Sequence, residues 1–199
     1  TSQLIDKEYL GDITKVDLGN LINELKPDFI FHFAAQALVR KSIQEPINTI
    51  KTNALGTCYL LEALKNYKKS CNVVLITSDK VYKNKEWIWG YRENDTLGGK
   101  DPYSASKAMA EIAIHSYLQT YDYLSKNIRI SVARAGNVIG GGDWSEDRII
   151  PDLIRSVKSN KPLLIRSPKA TRPWQHVLDP IFGYMQLAKI PVSYTHLRA

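Results

Sequence analysis

The stretch Asn72–Tyr82, NVVLITSDKVY, decides the fold. Val73, Val74, Leu75 and Ile76 form a short, continuous apolar run, the pattern of a strand buried on both faces of a parallel sheet. The run stops on Thr77, Ser78, Asp79 and Lys80, which places a hydroxyl, a carboxylate and an amine at the carboxyl end of that strand. Open parallel sheets bind ligands beyond the carboxyl ends of their strands, so the strand reads as a stalk with its polar tip in a crevice. A competing reading has Ser78 and Asp79 only capping the turn that follows.

Working outward, Val16–Lys26 carries apolar residues on one helical stripe, and Pro27 stops it. Asp28–Ala35 (DFIFHFAA) reads as a second strand buried on both faces. Pro46 opens a long helix to about Tyr67, Pro102 opens another to about Leu124, and Ile128–Ala133 is a third strand. Strands alternating with helices predict βαβ units. The expected class is α/β: a partial, Rossmann-like, doubly wound parallel sheet over residues 1–136. Past Gly136 the pattern loosens into a glycine-rich loop (GNVIGGGDW), a short helix at Ile149–Val157 and a short strand at Leu163–Arg166. Residues 137–190 therefore read as part of a smaller substrate-binding region. The final residues, 191–199, interrupt an amphipathic helix and read as a non-native tail.

Of 199 residues, 44% are hydrophobic and 24% charged, enough for a substantial core. Two cysteines, Cys58 and Cys71, make neither a disulfide framework nor a metal-ligand cluster, and no metal is expected. No apolar run reaches the roughly 18 residues of a membrane span, so no membrane partner is expected and the cytoplasm is the default compartment. The net charge of +7 invites a nucleic-acid reading, yet the basic residues are scattered and no nucleic-acid-binding motif accompanies them. An anionic small molecule would use the same positive field.

The second chemical element is DPYSASK, where Tyr103 and Lys107 stand four residues apart on one helix face. A phenol with a pKa near ~10 is a poor base at neutral pH, but a neighbouring ammonium favours its phenolate. Tyr103 could then take a proton from a sugar hydroxyl. Alone, a tyrosine and lysine at this spacing describe many solvated helix faces; a serine at the preceding strand end makes the pair specific.

Ser78, Tyr103 and Lys107 together resemble the extended short-chain dehydrogenase/reductase family. The segments TSDK, EWIWGYREND, DPYSASK, RAGNVIGGGDW, DRIIPD and RPWQHVLDP resemble its nucleotide-sugar 4,6-dehydratases over Leu10–Ala188. Members acting on dTDP-glucose carry Thr-Asp-Glu where this chain has Ser78-Asp79-Lys80, a difference that shifts the expected substrate to CDP-glucose. The resemblance implies an NAD-dependent lyase of nucleotide-sugar metabolism, with a place in lipopolysaccharide O-antigen biosynthesis. Tyr103 would deprotonate the sugar 4-hydroxyl, with Ser78 bonded to that oxygen and Lys107 holding the nicotinamide ribose. Lys80 would remove the C5 proton, which requires its pKa to be drawn down by burial or by cations, and Asp79 would protonate the departing 6-hydroxyl. An ion pair from Lys80 to Asp79 or Glu93 is the plainer alternative.

The same resemblance implies that NAD meets Asp12, Ile13, Ala34, Ala35, Gln36, Thr52, Tyr103, Lys107 and Asn137. Asn53 is expected to brace its helix. Substrate would meet Ser78, Asn137, Arg148 and Arg172, with Arg172 as the diphosphate clamp, a guanidinium fork being suited to phosphate oxygens. Trp87, Trp89 and Trp174 are at least as well suited to packing as to stacking on a ligand. The family's glycine-rich turn after the first strand is not in this sequence, and a missing βαβ unit of roughly 30 residues would contain it. The isolated chain is therefore expected to bind NAD weakly or not at all, and to be inactive. The two long helices are the expected homodimer surface. Other members of the family, an epimerase or a reductase, and a non-catalytic nucleotide-binding module are the alternatives.

Overall fold

The structure, a computed structural model, describes residues 4–190 and the backbone of residues 196–198. Its centre is a parallel sheet in the order β1-β2-β3-β6, with β1 at Phe29–His32, β2 at Cys71–Ile76, β3 at Ile128–Arg134 and β6 at His196–Arg198. Phe29 pairs with Asn72, and Cys71 with Ile128. The expected tail 191–199 lies outside the described residues except for that last backbone segment, which runs beside Val132–Arg134.

Successive side chains of a strand face opposite ways, and the two sides of β2 are buried differently. Val73 and Leu75 join Ile128, Ile130 and Val132 of β3 against Ile22 of α1 (Leu18–Leu25), Leu60, Leu61 and Leu64 of α4 (Gly56–Lys65) and Ile114 of α5 (Pro102–Thr120). Val74 faces the other way, with Ala133 and Ala135, onto Tyr184, Leu187 and Ala188 of α7 (Leu178–Lys189). Helices therefore cover both faces, which is the doubly wound arrangement. The region 137–190 contributes α7 to this second face.

The helices follow local rules. Asp17 caps α1, accepting from Asn20 N at 3.0 Å, and Lys26 ends it in the left-handed conformation before Pro27. Asp101 caps α5, accepting from Ser104 N at 3.0 Å, with Pro102 in the first turn. The expected helix from Pro46 to Tyr67 is α3 (Pro46–Ile50), a π-helical turn at Lys51–Leu55 and α4. A further helix, α2 (Val39–Gln44), fills the connection after β1.

Three expectations are corrected. Asp28–Ala35 is not buried on both faces: only Phe29–His32 is strand, and Phe29 and Phe31 are 48% and 36% exposed, with α7 reaching that side only at Phe33, against Tyr184. The helix opening at Pro102 stops at Thr120, and a 3₁₀ turn at Leu124–Lys126 follows. Leu163–Arg166 is not a strand; instead β4 (Asn137–Ile139) pairs in parallel with β5 (Trp174–His176) in a separate two-stranded sheet. Between them, α6 (Ile149–Ser159) completes the order.

Candidate active site

The polar tip of β2 is built as a turn. Ser78 is extended and caps a 3₁₀ turn at Asp79–Val81, its Oγ accepting from Lys80 N at 3.3 Å and donating to Asp79 Oδ1 at 3.2 Å. The capping reading of Ser78 is thus seen, and it leaves the residue on the cleft wall. Lys80 Nζ donates to Asp79 Oδ1 at 3.2 Å and to Asn137 Oδ1 at 3.3 Å. The expected ion pair of Lys80 is with Asp79. Each of these two side chains keeps about a third of its surface exposed.

A cleft of about 1180 Å³ lies beyond the sheet between the strand ends and the loosened region. Ser78, Lys80, Tyr103, Asn137, Arg148 and Arg172 all line it. Lys107 lies behind Tyr103, only 6% exposed, and donates to the Ile76 carbonyl at 3.0 Å. Burial pulls its ammonium down to about 8, against the charge of Glu111, which raises it. Tyr103 is raised above the usual phenol range by burial, while a hydrogen bond with Ser78 lowers it, Asp79 raises it and Arg148 lowers it. In this arrangement Arg148 is a cation that favours the Tyr103 phenolate.

The backbone of Tyr103 is fixed from two sides. Its N–H donates to Ser42 Oγ of α2 at 3.1 Å, and its carbonyl accepts from Ser106 Oγ at 2.7 Å. Ser106 Oγ in turn accepts from Asn53 Nδ2 at 2.8 Å. Asn53 also clasps the backbone of Gln36, accepting from its N–H at 2.8 Å and donating to its carbonyl at 3.0 Å. Asn53 is thus the expected brace, reaching across from the π-helical turn to both the β1 loop and α5. Gln36 adds bonds to Thr49 Oγ1 and the Leu38 carbonyl.

Asp12, Ile13, Ala34, Ala35, Gln36 and Thr52 do not line the cleft; they lie beyond β1 and around the π-helical turn, where the Ile13 side chain reaches Gly56. Asp12 Oδ1 accepts from Thr14 N–H and Oγ1 at 2.9 and 2.8 Å, and these bonds hold its carboxyl below the usual range. A dinucleotide fits such a division: Ala34 and Ala35 present no bulky side chain to a ribose, and Tyr103 and Lys107 offer polar groups on one helix face some distance away.

On the substrate side, Arg148 pairs with Asp143 at 3.1 Å, and Arg172 Nη1 donates to the Thr171 carbonyl at 2.6 Å. Trp174 lines the cleft. Trp87 and Trp89 do not; they pack on each other, and Trp87 also packs with Tyr91, which stacks on Tyr82. Sequence reasoning missed Arg40 and Arg166, which both line the cleft and both pair with Asp147, Arg40 at 2.8 Å. It also missed Ser42, whose signal was only a serine before a proline-opened helix.

A parallel sheet with a serine, a tyrosine and a lysine at its ligand-binding edge defines a short-chain dehydrogenase/reductase fold. Residues 7–193 match the model of the GDP-mannose 4,6 dehydratase family, and the chain belongs to that family. It is 48% identical to the CDP-glucose 4,6-dehydratase of Salmonella typhimurium strain LT2, over 92% of this chain and 52% of that protein. The chain thus spans about half the length of that curated relative. Among solved structures, a double mutant of the dTDP-glucose 4,6-dehydratase DesIV from Streptomyces venezuelae, with NAD and DAU bound, is 26% identical. It superposes with a TM-score of 0.80 over 94% of this chain and 56% of its own. MoeE5 in complex with UDP-glucuronic acid and NAD, 25% identical, superposes with a TM-score of 0.82 over 96% of this chain and 62% of its own.

Proposed function

We propose that this chain carries the reaction centre of an NAD-dependent nucleotide-sugar 4,6-dehydratase whose substrate is CDP-glucose and whose product is CDP-4-keto-6-deoxy-glucose. The observation that carries the reading is the convergence of Ser78, Lys80 and Tyr103 on one cleft, with Asp79 bonded to Ser78 and Lys80. The likeness to the Salmonella enzyme, and Lys80 in place of a glutamate, support the CDP sugar.

NAD would supply a reversible hydride acceptor, taking hydride from C4 and returning it to C6. Tyr103 takes the proton of the 4-hydroxyl, and Ser78 steadies that oxygen. The resulting 4-ketone acidifies C5–H, which Lys80 deprotonates while Asp79 delivers a proton to the departing 6-hydroxyl. Water is lost, and Lys80, holding the C5 proton, returns it to C5. Lys80 and Asp79 stand 3.2 Å apart, which lets the two groups act on neighbouring carbons of one sugar. Arg172 and Arg148, which both line the cleft, meet the diphosphate.

A homodimer is part of the proposal, supported by exposed Ile47 and Tyr59 on α3 and α4 and exposed Met109 and Ile112 on α5. A cytoplasmic location is supported by two free thiols, Cys58 and Cys71.

The test supplies the complete protein with NAD and either CDP-glucose or dTDP-glucose and follows loss of one water from the sugar by mass spectrometry. Dehydration of CDP-glucose alone is expected. Lys80→Ala should lower product formation by about 10²–10⁴-fold with NAD affinity unchanged. Undiminished product from that variant removes Lys80 from the reaction, and an inverted C4 without water loss replaces the reading with epimerisation.

A further inference from the structure

Behind the cleft lies a buried ion pair that the reaction as proposed does not use. Glu111 and Arg134 are only 3% and 8% exposed. Arg134 Nε donates to both carboxylate oxygens of Glu111, at 2.8 and 3.0 Å, and its Nη2 bonds Oε2 as well. The Thr77 hydroxyl donates to Oε1 at 2.5 Å. Arg134 Nη1 goes on to the Tyr82 hydroxyl and the Glu93 carbonyl, both at 2.9 Å, with the guanidinium 4.8 Å from the centre of the Tyr82 ring.

Stability alone gives this pair little reason to exist. Desolvating two charges costs about as much as their attraction returns, and apolar residues of similar volume often do as well or better. Its position is more telling. Thr77 is the residue before Ser78, so the carboxylate grips the strand end that carries the polar triplet. On α5, Glu111 stands one turn beyond Lys107 and two beyond Tyr103, on the same helix face.

The groups around the Lys107 ammonium come from three elements. Glu111 and Tyr103 flank it on α5, the Ile76 carbonyl of β2 accepts its proton, and His32 of β1 feels its charge. The imidazole of His32 is pushed down to about 4 by burial and by Lys107, so it is neutral near pH 7. Glu111 is the acidic group that raises the Lys107 pKa against burial.

We propose that Glu111 is a positioning residue of the centre, holding the strand end that carries Ser78 through Thr77 and standing one turn from Lys107 on the same face of α5. The proposal rests on the dehydratase reading only in regarding that centre as the reactive one. Arg134 has the matching part: it orients the carboxylate and, through Tyr82 and the Glu93 carbonyl, ties the same strand end to the aromatic loop.

The test is an NMR titration of the Lys107 side chain in the 199-residue chain carrying ¹³C-labelled lysine, with the signal assigned by Lys107→Arg. In Glu111→Gln the Lys107 midpoint should fall by about one pH unit, since an opposing charge has been removed. A second variant, Glu111→Leu with Arg134→Met, replaces the pair by apolar groups and guards against loss of fold; circular dichroism should be native and the midpoint should fall by less than in Glu111→Gln, because the like charge of Arg134 leaves with the carboxylate. A purely structural pair would leave Lys107 titrating as in the parent, and an unmoved midpoint in the folded double variant overturns the proposal. Failure of the complete protein to dehydrate any nucleotide sugar would overturn the dehydratase reading and leave this titration untouched.

Discussion

His32 shows how one buried residue ties stability to pH. Its Nε2 lies 3.1 Å from Thr57 Oγ1, the residue is 6% exposed, and burial together with the Lys107 charge pushes its pKa from 6.5 to about 4. Because the folded state resists protonation more than the unfolded chain does, His32 leaves stability untouched above pH 6.5. Stability is lost as the pH falls from there towards 4, by up to about 3 kcal/mol. Urea midpoints measured at pH 7 and pH 5 should differ accordingly, and His32→Gln should flatten the difference; a parent protein equally stable at both values contradicts the assignment. The convergent residues of the cleft were the most legible part of the sequence, because Ser78 and Tyr103 each sit at the end of an element whose start and stop are locally encoded. Arg40 and Asp147 were illegible for the opposite reason: 107 positions separate them, and no local spacing in either segment announces that they pair.

At the scale of elements, the loop before α5 sets where Tyr103 stands. A Cβ on Gly99 would lie 2.4 Å from Ala105 N and 2.6 Å from the Ser104 carbonyl carbon, both backbone atoms of the first turns of α5. Gly99→Ala must therefore move the helix start or the loop. The expected cost is about 1–3 kcal/mol in urea unfolding. Gly90→Ala, with open space around its Cβ, should stay within about 0.5 kcal/mol. Equal effects from the two would show that the contact at Gly99 relaxes freely. Capped helix starts such as Asp101-Pro102 were readable; the π-helical turn was not, since one extra residue in the ring hardly disturbs an apolar period, and it turns Asn53 inward to the Gln36 backbone. Leu163–Arg166 misled because an apolar run reads as a strand whether or not a partner strand exists; Leu164 is 83% exposed. Trp174–His176, only three residues long, is too short to show a period of two, yet it has the partner.

On the scale of the molecule, the doubly wound sheet was legible because the centre of β2, Val73–Ile76, is apolar on both faces and both are covered. The same inference failed for β1, where the helix cover on the second side is incomplete and leaves Phe29 and Phe31 partly exposed. Sequence composition records what a strand is able to bury, and the neighbours decide what it does bury.

Asp147 is shared by Arg40, from α2 on the sheet side, and Arg166, from the loosened region opposite. The cleft thus arrives with a tenant carboxylate between two guanidinium groups, and a phosphate that engages them evicts an anion as it enters. Added electrolyte weakens the tenant and the newcomer alike, so the salt dependence of nucleoside diphosphate affinity should be shallower than two free arginines would give. Asp147→Asn should steepen it, and calorimetry across a range of sodium chloride concentrations with identical slopes for both proteins would show that the exchange does not occur.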